Sequence, residues 1–322
     1  MEEAQESCKI SVIIATRNRA EALKNISLPS LLKQTFKDFE VIVWDASDNE
    51  DSAEVVKRFP ELEIRYFKAP RVGSCSQRND AVKEAKGEIV YFIDDDSEIS
   101  PDALEAIYEA MSKGEIVGCS PPEKKINPPR SQKFKGLQKF LNKIFFLGGE
   151  GRFRRILPSG RNEWPEVDFP GFVEWLNGGS MAFQKGVFAN HQFEEEFEKF
   201  GGFAVAEDVL FSYQLFKEGK KLKILERGSF SHYSAPGGRE SKQNRASSQL
   251  FNFYLLWKKT IHPSNRISVF PFILSVIGTL LKGFRDLLSE RDFSRLKGIF
   301  LGLGAIFKKE FGNYKKRKVP WE

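Results

Sequence analysis

The sequence predicts an α/β fold, a mostly parallel sheet flanked by helices, with a helical C-terminal tail. Three observations carry this. Short, nearly continuous apolar runs alternate with helical segments over the first 120 residues, as strands buried on both faces of a parallel sheet require. Polar clusters stand at the carboxyl ends of three of those runs, where such sheets bind ligands. Residues 241–322 then turn basic and apolar, with 16 Lys and Arg against 5 Asp and Glu.

The elements follow in order. Residues 10–14 read as the first strand, and 20–34 as a helix that Pro29 breaks or restarts. Residues 41–44 and 63–67 are the second and third strands. A helix over 76–86 is stopped by Gly87. The fourth strand, 88–93, runs straight into Asp94-Asp95-Asp96. Ser100 reads as an N-cap, Pro101 as the first helical residue and Gly114 as the stop. Residues 115–119 close the series as a fifth strand. Strands joined by helices imply right-handed crossovers.

Pro121-Pro122 and Pro128-Pro129 mark a loop. Over 133–147, Phe134, Leu137, Leu141, Ile144 and Phe145 share one helical face, while Lys135, Lys139 and Lys143 stay off it. Such a helix lies on a membrane or packs on the body. Regular patterning returns over 173–183. A helix runs from Glu207-Asp208 to Gly219, and a strand covers 222–225. The organisation expected is a body at 1–240, with halves at about 1–120 and 165–240 around a basic amphipathic insert at about 121–164. The tail occupies 241–322.

The 322 residues suffice for one large α/β domain with an appendage. A hydrophobic share of 41% excludes a disordered chain. Cys8, Cys75 and Cys119 form neither a disulfide framework nor a zinc set, which suits a reducing compartment. The acidic, polar opening residues do not read as a signal peptide. The basic tail points to an anionic surface. No recognisable nucleic-acid module accompanies it, so no nucleic-acid partner is expected. Residues 267–281 are uncharged but fall short of the roughly 20 that a spanning helix needs, and Pro271 interrupts them. A shorter apolar run, 298–307, precedes Lys308, Lys309, Lys315, Lys316, Arg317 and Lys318. Basic apolar helices of this kind fit a membrane interface, or else a helical pair packed on the body or on a second subunit.

Four clusters carry chemistry. Three carboxylates after a buried strand repel one another unless a cation or donors are present, and Mg²⁺ and Mn²⁺ prefer hard oxygen ligands. An acidic surface turn is the plain alternative. Glu207-Asp208 opens a helix, whose dipole keeps a carboxylate ionised as a cap or as a general base. Gly178-Gly179, within 176–183, lets backbone approach a ligand or simply turns before a strand. His232 lies in Ser231-His232-Tyr233-Ser234 and precedes Gly237-Gly238-Arg239. The His suits a metal or a structural role, the Arg a diphosphate.

Taken in order, these segments resemble the family-2 glycosyltransferases, whose fold is GT-A. Ser11-Val12-Ile13-Ile14-Ala15-Thr16-Arg17-Asn18-Arg19 is similar to the family's opening strand and loop. Arg78-Asn79-Asp80-Ala81 resembles its Arg-Asn-x-Ala element, and Phe92-Ile93-Asp94-Asp95-Asp96 its Asp-x-Asp motif. Gly178-Gly179-Ser180-Met181 resembles the acceptor-side segment, and Ala206-Glu207-Asp208-Val209-Leu210 the segment bearing the catalytic base. Trp44-Asp45-Ala46-Ser47 departs from the usual Asp-Asp-Gly-Ser.

The resemblance implies an inverting transfer from a nucleoside-diphosphate sugar to a hydroxyl of a lipid-linked or nascent polysaccharide acceptor. Asp94, Asp96 and His232 would hold Mg²⁺ or Mn²⁺, with Asp95 near ribose or metal. Asp208, beside Glu207, would be the base. Thr16, Arg17, Asn18, Asp45, Ser47, Arg78, Asn79, Gly178, Gly179 and Arg239 would contact the donor. The expected place is the inner face of the cytoplasmic membrane, touched through 133–147 and 258–318, with oligomerisation left open. Two alternatives stand beside this reading. One is transfer to a polyprenyl phosphate. The other is a sugar nucleotidyltransferase, which would carry a Gly-rich basic loop where this chain has Ala15-Thr16-Arg17-Asn18-Arg19. A catalytically dead carbohydrate-binding protein would not need Asp94, Asp96 and Asp208 together.

Overall fold

Every apolar strand run of the sequence divides its side chains between two cores, one on each face of a single sheet. In β1 (Ile10–Thr16), Ile13 enters one core while Ile10, Val12 and Ile14 enter the other. The computed structural model describes residues 8–126, 135–202, 204–233, 235 and 240–311. Phe134, Ser234, Gly237, Gly238, Arg239, Lys315, Lys316, Arg317 and Lys318 lie outside the described residues.

Residues 20–32 are continuously helical, with α1 (Ala20–Ala22) and α2 (Leu28–Leu32) flanking a π turn at Leu23–Ser27. Pro29 restarts the helix instead of breaking it. It stands in the first turn of α2, straight after the π turn that closes with the Leu28 N–H on the Leu23 carbonyl. Next come β2 (Phe39–Asp45), α3 (Asp51–Val56), β3 (Ile64–Lys68) and α4 (Ser74–Glu84). Gly87 does not cap α4, which ends at an extended Ala85. It is small for another reason: a Cβ there would stand 2.5 Å from the Ser11 nitrogen.

β4 (Ile89–Ile93), the short β5 (Ser97–Ile99) and α5 (Ala103–Met111) follow. Asp102, not Ser100, is the N-cap residue of α5; Ser100 Oγ instead donates to Asp102 Oδ1 at 2.7 Å. Then come β6 (Gly118–Ser120), α6 (Lys135–Ile144), β7 (Gly149–Gly151), β8 (Arg155–Ile156) and β9 (Asn162–Pro165). The patterned stretch 173–183 resolves into two strands, β10 (Gly171–Val173) and β11 (Ser180–Gln184). The remaining elements are α7 (Glu207–Lys217), β12 (Leu222–Ile224), β13 (Phe230–His232), α8 (Lys242–Leu256), α9 (Val269–Glu290) and α10 (Ser294–Phe311).

The main sheet has eight strands in the order β10-β12-β6-β11-β4-β1-β2-β3. From β4 to β3 every pairing is parallel. β6 does not sit beside β4 as a fifth consecutive strand would, because β11 is inserted antiparallel between them. That insertion brings the 177–179 loop next to the end of β4.

The tail is packed as well as exposed. α8 buries Phe251, Phe253, Tyr254, Leu255 and Leu256 in the larger core, and Asn252 Nδ2 donates to the carbonyls of Phe197 and Val205. α10 lies close on α8 at Gly298, where a Cβ would reach the Gln243 carbonyl at 2.2 Å. Residues 266–290 form one helical stretch long and apolar enough to cross a membrane by length and composition, longer than the 15-residue uncharged run within it. Ser275, Gly278, Thr279 and Gly283 are its packed face. Ile267, Phe270, Ile273, Ile277, Leu281, Phe284 and Leu288 are exposed.

Candidate active site

The parallel strands β1, β2 and β4 deliver three loops to one edge of the sheet. Beside that edge lies a cleft of about 530 Å³, lined by Thr16, Arg17, Arg19, Arg78, Asp94, Asp95, Asp96, Gly178, Gly179, Glu207, Asp208 and His232 among others. Carboxyl-end loops of a parallel sheet converge in this way because every strand points the same direction.

Each aspartate of the triplet has its own environment. Asp95 is buried, accepting from Thr16 Oγ1 at 2.7 Å and Arg19 Nη1 at 2.7 Å. Burial outweighs these donors and pushes its pKa up to about 7. Asp96 accepts from Arg19 Nη2 at 3.0 Å and the Ala235 N–H at 2.8 Å through Oδ2. Burial would raise it, but His232, Arg19 and the Ala235 N–H prevail and hold it below the usual carboxylate range. Asp94, about one third exposed, faces Arg78 Nη2 at 3.3 Å. The cleft walls desolvate it and raise its pKa.

His232 reaches the triplet through a small ladder. β5 leaves directly after Asp96 and pairs antiparallel with β13, matching His232 with Ser97. Its Nε2 lies 2.9 Å from Asp96 Oδ1 and 3.8 Å from Asp94 Oδ2. The closeness of Asp96, and then of Asp94, raises the imidazole pKa to about 9. Asp96 Oδ1 is nevertheless buried without a hydrogen-bond donor. One ligand atom each from Asp94, Asp96 and His232 falls within a 4.8 Å span. An orphaned carboxylate oxygen opposite an imidazole nitrogen, with a second carboxylate beside them, fits a divalent cation of the Mg²⁺ or Mn²⁺ kind.

Across the cleft, Ala206 adopts a left-handed conformation, with φ of 67°, and starts α7. An alanine there is strained, and the turn aims Glu207 and Asp208 inward. Arg78 bridges the two sides: Nη1 meets Glu207 Oε1 at 2.6 Å while Nη2 faces Asp94. Its guanidinium also stacks 5.6 Å from the Phe193 ring. Asp208 Oδ2 accepts from the Gly178 N–H at 2.6 Å and Oδ1 from the Val209 N–H at 2.8 Å. Burial raises the pKa of both Glu207 and Asp208. A Cβ on Gly178 would stand 3.3 Å from Asp208, so the glycine lets this hydrogen bond form.

Other candidate residues face elsewhere. The Asp45 carboxylate is fully buried, accepting from the Ser47 N–H at 2.8 Å, from Ser47 Oγ and from Tyr66 OH at 2.8 Å. Asn18, at φ 54°, ties the first loop to the second by exchanging hydrogen bonds with Asp48 and donating its N–H to Ser47 Oγ. Asn79 is occupied by the Phe193 backbone, at 2.9 and 2.8 Å. None of Asn18, Asp45, Ser47 and Asn79 lines the cleft. Arg17 does, with its Nε buried and unpartnered. The role expected of Arg239 falls outside the described residues. Two residues not singled out from the sequence belong to the site. Arg19 grips two of the three aspartates, and Gln77 Nε2 donates to the carbonyls of Thr16 and Trp44, joining the ends of β1 and β2. Three adjacent acids needing a counter-charge, with Arg17 and Arg19 in the facing loop, was the available signal.

The sheet, with the cleft at its carboxyl edge, has the GT-A fold. Residues 11–158, just under half of the chain, match the model of glycosyl transferase family 2. It is 28% identical over 267 residues to a chondroitin synthase of Escherichia coli, covering 78% of this chain and 38% of that protein. It is 33% identical over 137 residues to a GalNAc(5)-diNAcBac-PP-undecaprenol β-1,3-glucosyltransferase of Campylobacter jejuni, covering 41% of this chain and 44% of the relative. The chain thus spans less than half the length of either relative. In fold it is similar to S. aureus TarS residues 1–349, solved with UDP-GlcNAc, at a TM-score of 0.53 and 16% identity over 94% of this chain and 92% of that one.

Proposed function

We propose that the chain is an inverting transferase that moves a sugar from a nucleoside-diphosphate sugar to a hydroxyl of a lipid-linked or nascent polysaccharide acceptor at a membrane surface. The observation that carries this is the placement of Asp208 in the same cleft as the Asp94, Asp96 and His232 group. In this reading, Asp94, Asp96 and His232 would hold Mg²⁺ or Mn²⁺, which would supply positive charge beside the leaving diphosphate. Arg19 keeps Asp95 and Asp96 in place, and Arg78 pairs with Asp94 and Glu207. Each Asp208 oxygen has one donor and a lone pair to spare, which leaves room for an acceptor hydroxyl. Its raised pKa makes it a stronger base near neutral pH. The hydroxyl oxygen, losing its proton to Asp208, attacks the anomeric carbon from the face opposite the diphosphate.

The acceptor class is supported by the kinds of relatives found, a chondroitin synthase and an undecaprenol-diphosphate glucosyltransferase. The exposed apolar residues of α6, α9 and α10 support the membrane surface. The test is Asp208→Asn. We expect transfer to fall by a factor on the order of 10²–10⁴ while nucleotide-sugar binding is kept. An Asp208→Asn enzyme of normal rate overturns the base assignment and favours a phosphate acceptor, which needs less help in losing its proton.

A further inference from the structure

A second cavity, of about 700 Å³, adjoins the aspartate cleft. Asn177, Val205, Ala206, Asp208, His232 and Arg245 line both. Its other walls come from the segment around β9, from α8 and from α9, and they carry cations without counter-charges. Arg161 is only 4% exposed. Its Nη2 donates to Thr279 Oγ1 at 3.0 Å and its guanidinium lies 4.3 Å from the Phe253 ring, yet its Nε is buried without a partner. No carboxylate pairs with it among the described residues. Lys282 of α9 and Arg245 of α8 line the same space and have no ion pair among the described residues either. Burial, then Arg161, lowers the Lys282 pKa to about 8.

The neighbouring acids do not cure this. Asp168 is taken by Arg154, at 2.9 and 2.5 Å, and Glu123 faces Asn177 Nδ2 at 3.4 Å. Asp286, four residues on from Lys282 and close enough to act on it, is already paired with Arg285 at 2.7 Å and with Arg295. Burying a guanidinium beside an ammonium is costly unless an anion joins them. A purely structural cluster would satisfy Arg161 Nε and would give Lys282 an acid.

We propose that this cavity is an oxyanion subsite of the acceptor, in which Arg161, Lys282 and Arg245 bind a phosphate or carboxylate that the acceptor carries beyond its attacking hydroxyl. The inference rests on the reading of Asp208 as the base, since Asp208 forms the boundary between the two cavities. Lys282 also belongs to the helix whose other face is exposed and apolar, so an anion held there lies just inside the surface offered to a membrane.

The full chain, in EDTA, is titrated calorimetrically with inorganic pyrophosphate and with D-glucuronate. Arg17→Gln, which alters the donor cleft alone, separates the two sites: binding that it weakens as much as Lys282→Gln does lies in the donor cleft and overturns the proposal. At least one probe binds, and Lys282→Gln and Arg245→Gln each weaken it about tenfold, the loss of one charged contact. Lys297→Gln, an exposed control on α10, changes nothing. Preference for pyrophosphate assigns an acceptor bearing phosphate, and preference for glucuronate one bearing a uronic acid. Lys282 and Arg245 make no side-chain hydrogen bonds among the described residues, so their variants fold normally, and melting curves verify that. Binding of neither probe, or binding that both variants leave unchanged, overturns the proposal. The probes hold no nucleotide and the metal is chelated, so a negative result leaves the transferase reading intact.

Discussion

Arg19 lies 17% exposed by its side chain and donates to Asp95 and Asp96 at once, so one guanidinium offsets much of the repulsion in the triplet. Arg19→Gln leaves two buried carboxylates without that donor, a change that costs about 3–5 kcal/mol when a buried pair is broken. Melting curves should show a Tm lower by several degrees in EDTA, with part of the loss recovered on adding Mn²⁺. Glu207 offers a pH test. Its pKa is raised by burial, so the folded state holds a proton that the unfolded chain releases above about 4.5. That contribution to stability is complete below the unfolded value and is lost as pH rises through the folded one. Glu207→Gln should flatten the fall of Tm between about pH 5 and 7.5. At this scale the sequence was partly legible. Asp94, Asp96, Asp208 and His232 stand in separate motifs of the sequence, and folding brings all four to one cleft. Asp45 and Asn79 stand in similar motifs, but their polar atoms are taken by Ser47, Tyr66 and Phe193, partners brought there only by folding.

The elements that deliver the site differ in how local their causes are. β1, β2 and β4 were readable because two-sided burial makes continuous apolar runs. α3, β5 and β13 were not, being too short for any period to show. The β5–β13 ladder is nevertheless what sets His232 against Asp96. The insertion of β11 between β4 and β6 is equally invisible locally, since a strand of four buried residues reads the same in either direction. Gly87 shows how tightly the parallel strands approach the turn before β4. Gly87→Ala would push a methyl against the Ser11 and Ile10 backbone, and we expect it to cost about 1–3 kcal/mol, read as a lower midpoint in urea unfolding.

Across the whole molecule, the aspartate cleft adjoins the second cavity, which Lys282 of α9 lines, and the opposite face of α9 is exposed and apolar. α6 exposes Leu137, Phe140, Leu141 and Ile144, and α10 exposes Phe300, Leu301 and Phe307, alongside the stripe on α9. Apolar patches of this extent on a basic region mark a contact surface. The full chain should float with anionic vesicles, and a Phe270→Ser, Phe284→Ser double variant should float less. A chain that stays at the bottom of the gradient is not membrane-bound through these helices. The central claim, a nucleotide-sugar site built on the aspartates and a divalent cation, is tested most directly by thermal stabilisation. A panel of nucleotide sugars is scanned with Mn²⁺, with Mg²⁺ and with EDTA, on the wild type and on Asp96→Asn. At least one nucleotide sugar should raise the wild-type Tm only when a cation is present, and should fail to raise it in Asp96→Asn. Stabilisation that survives EDTA undiminished, or that Asp96→Asn retains in full, would contradict that claim.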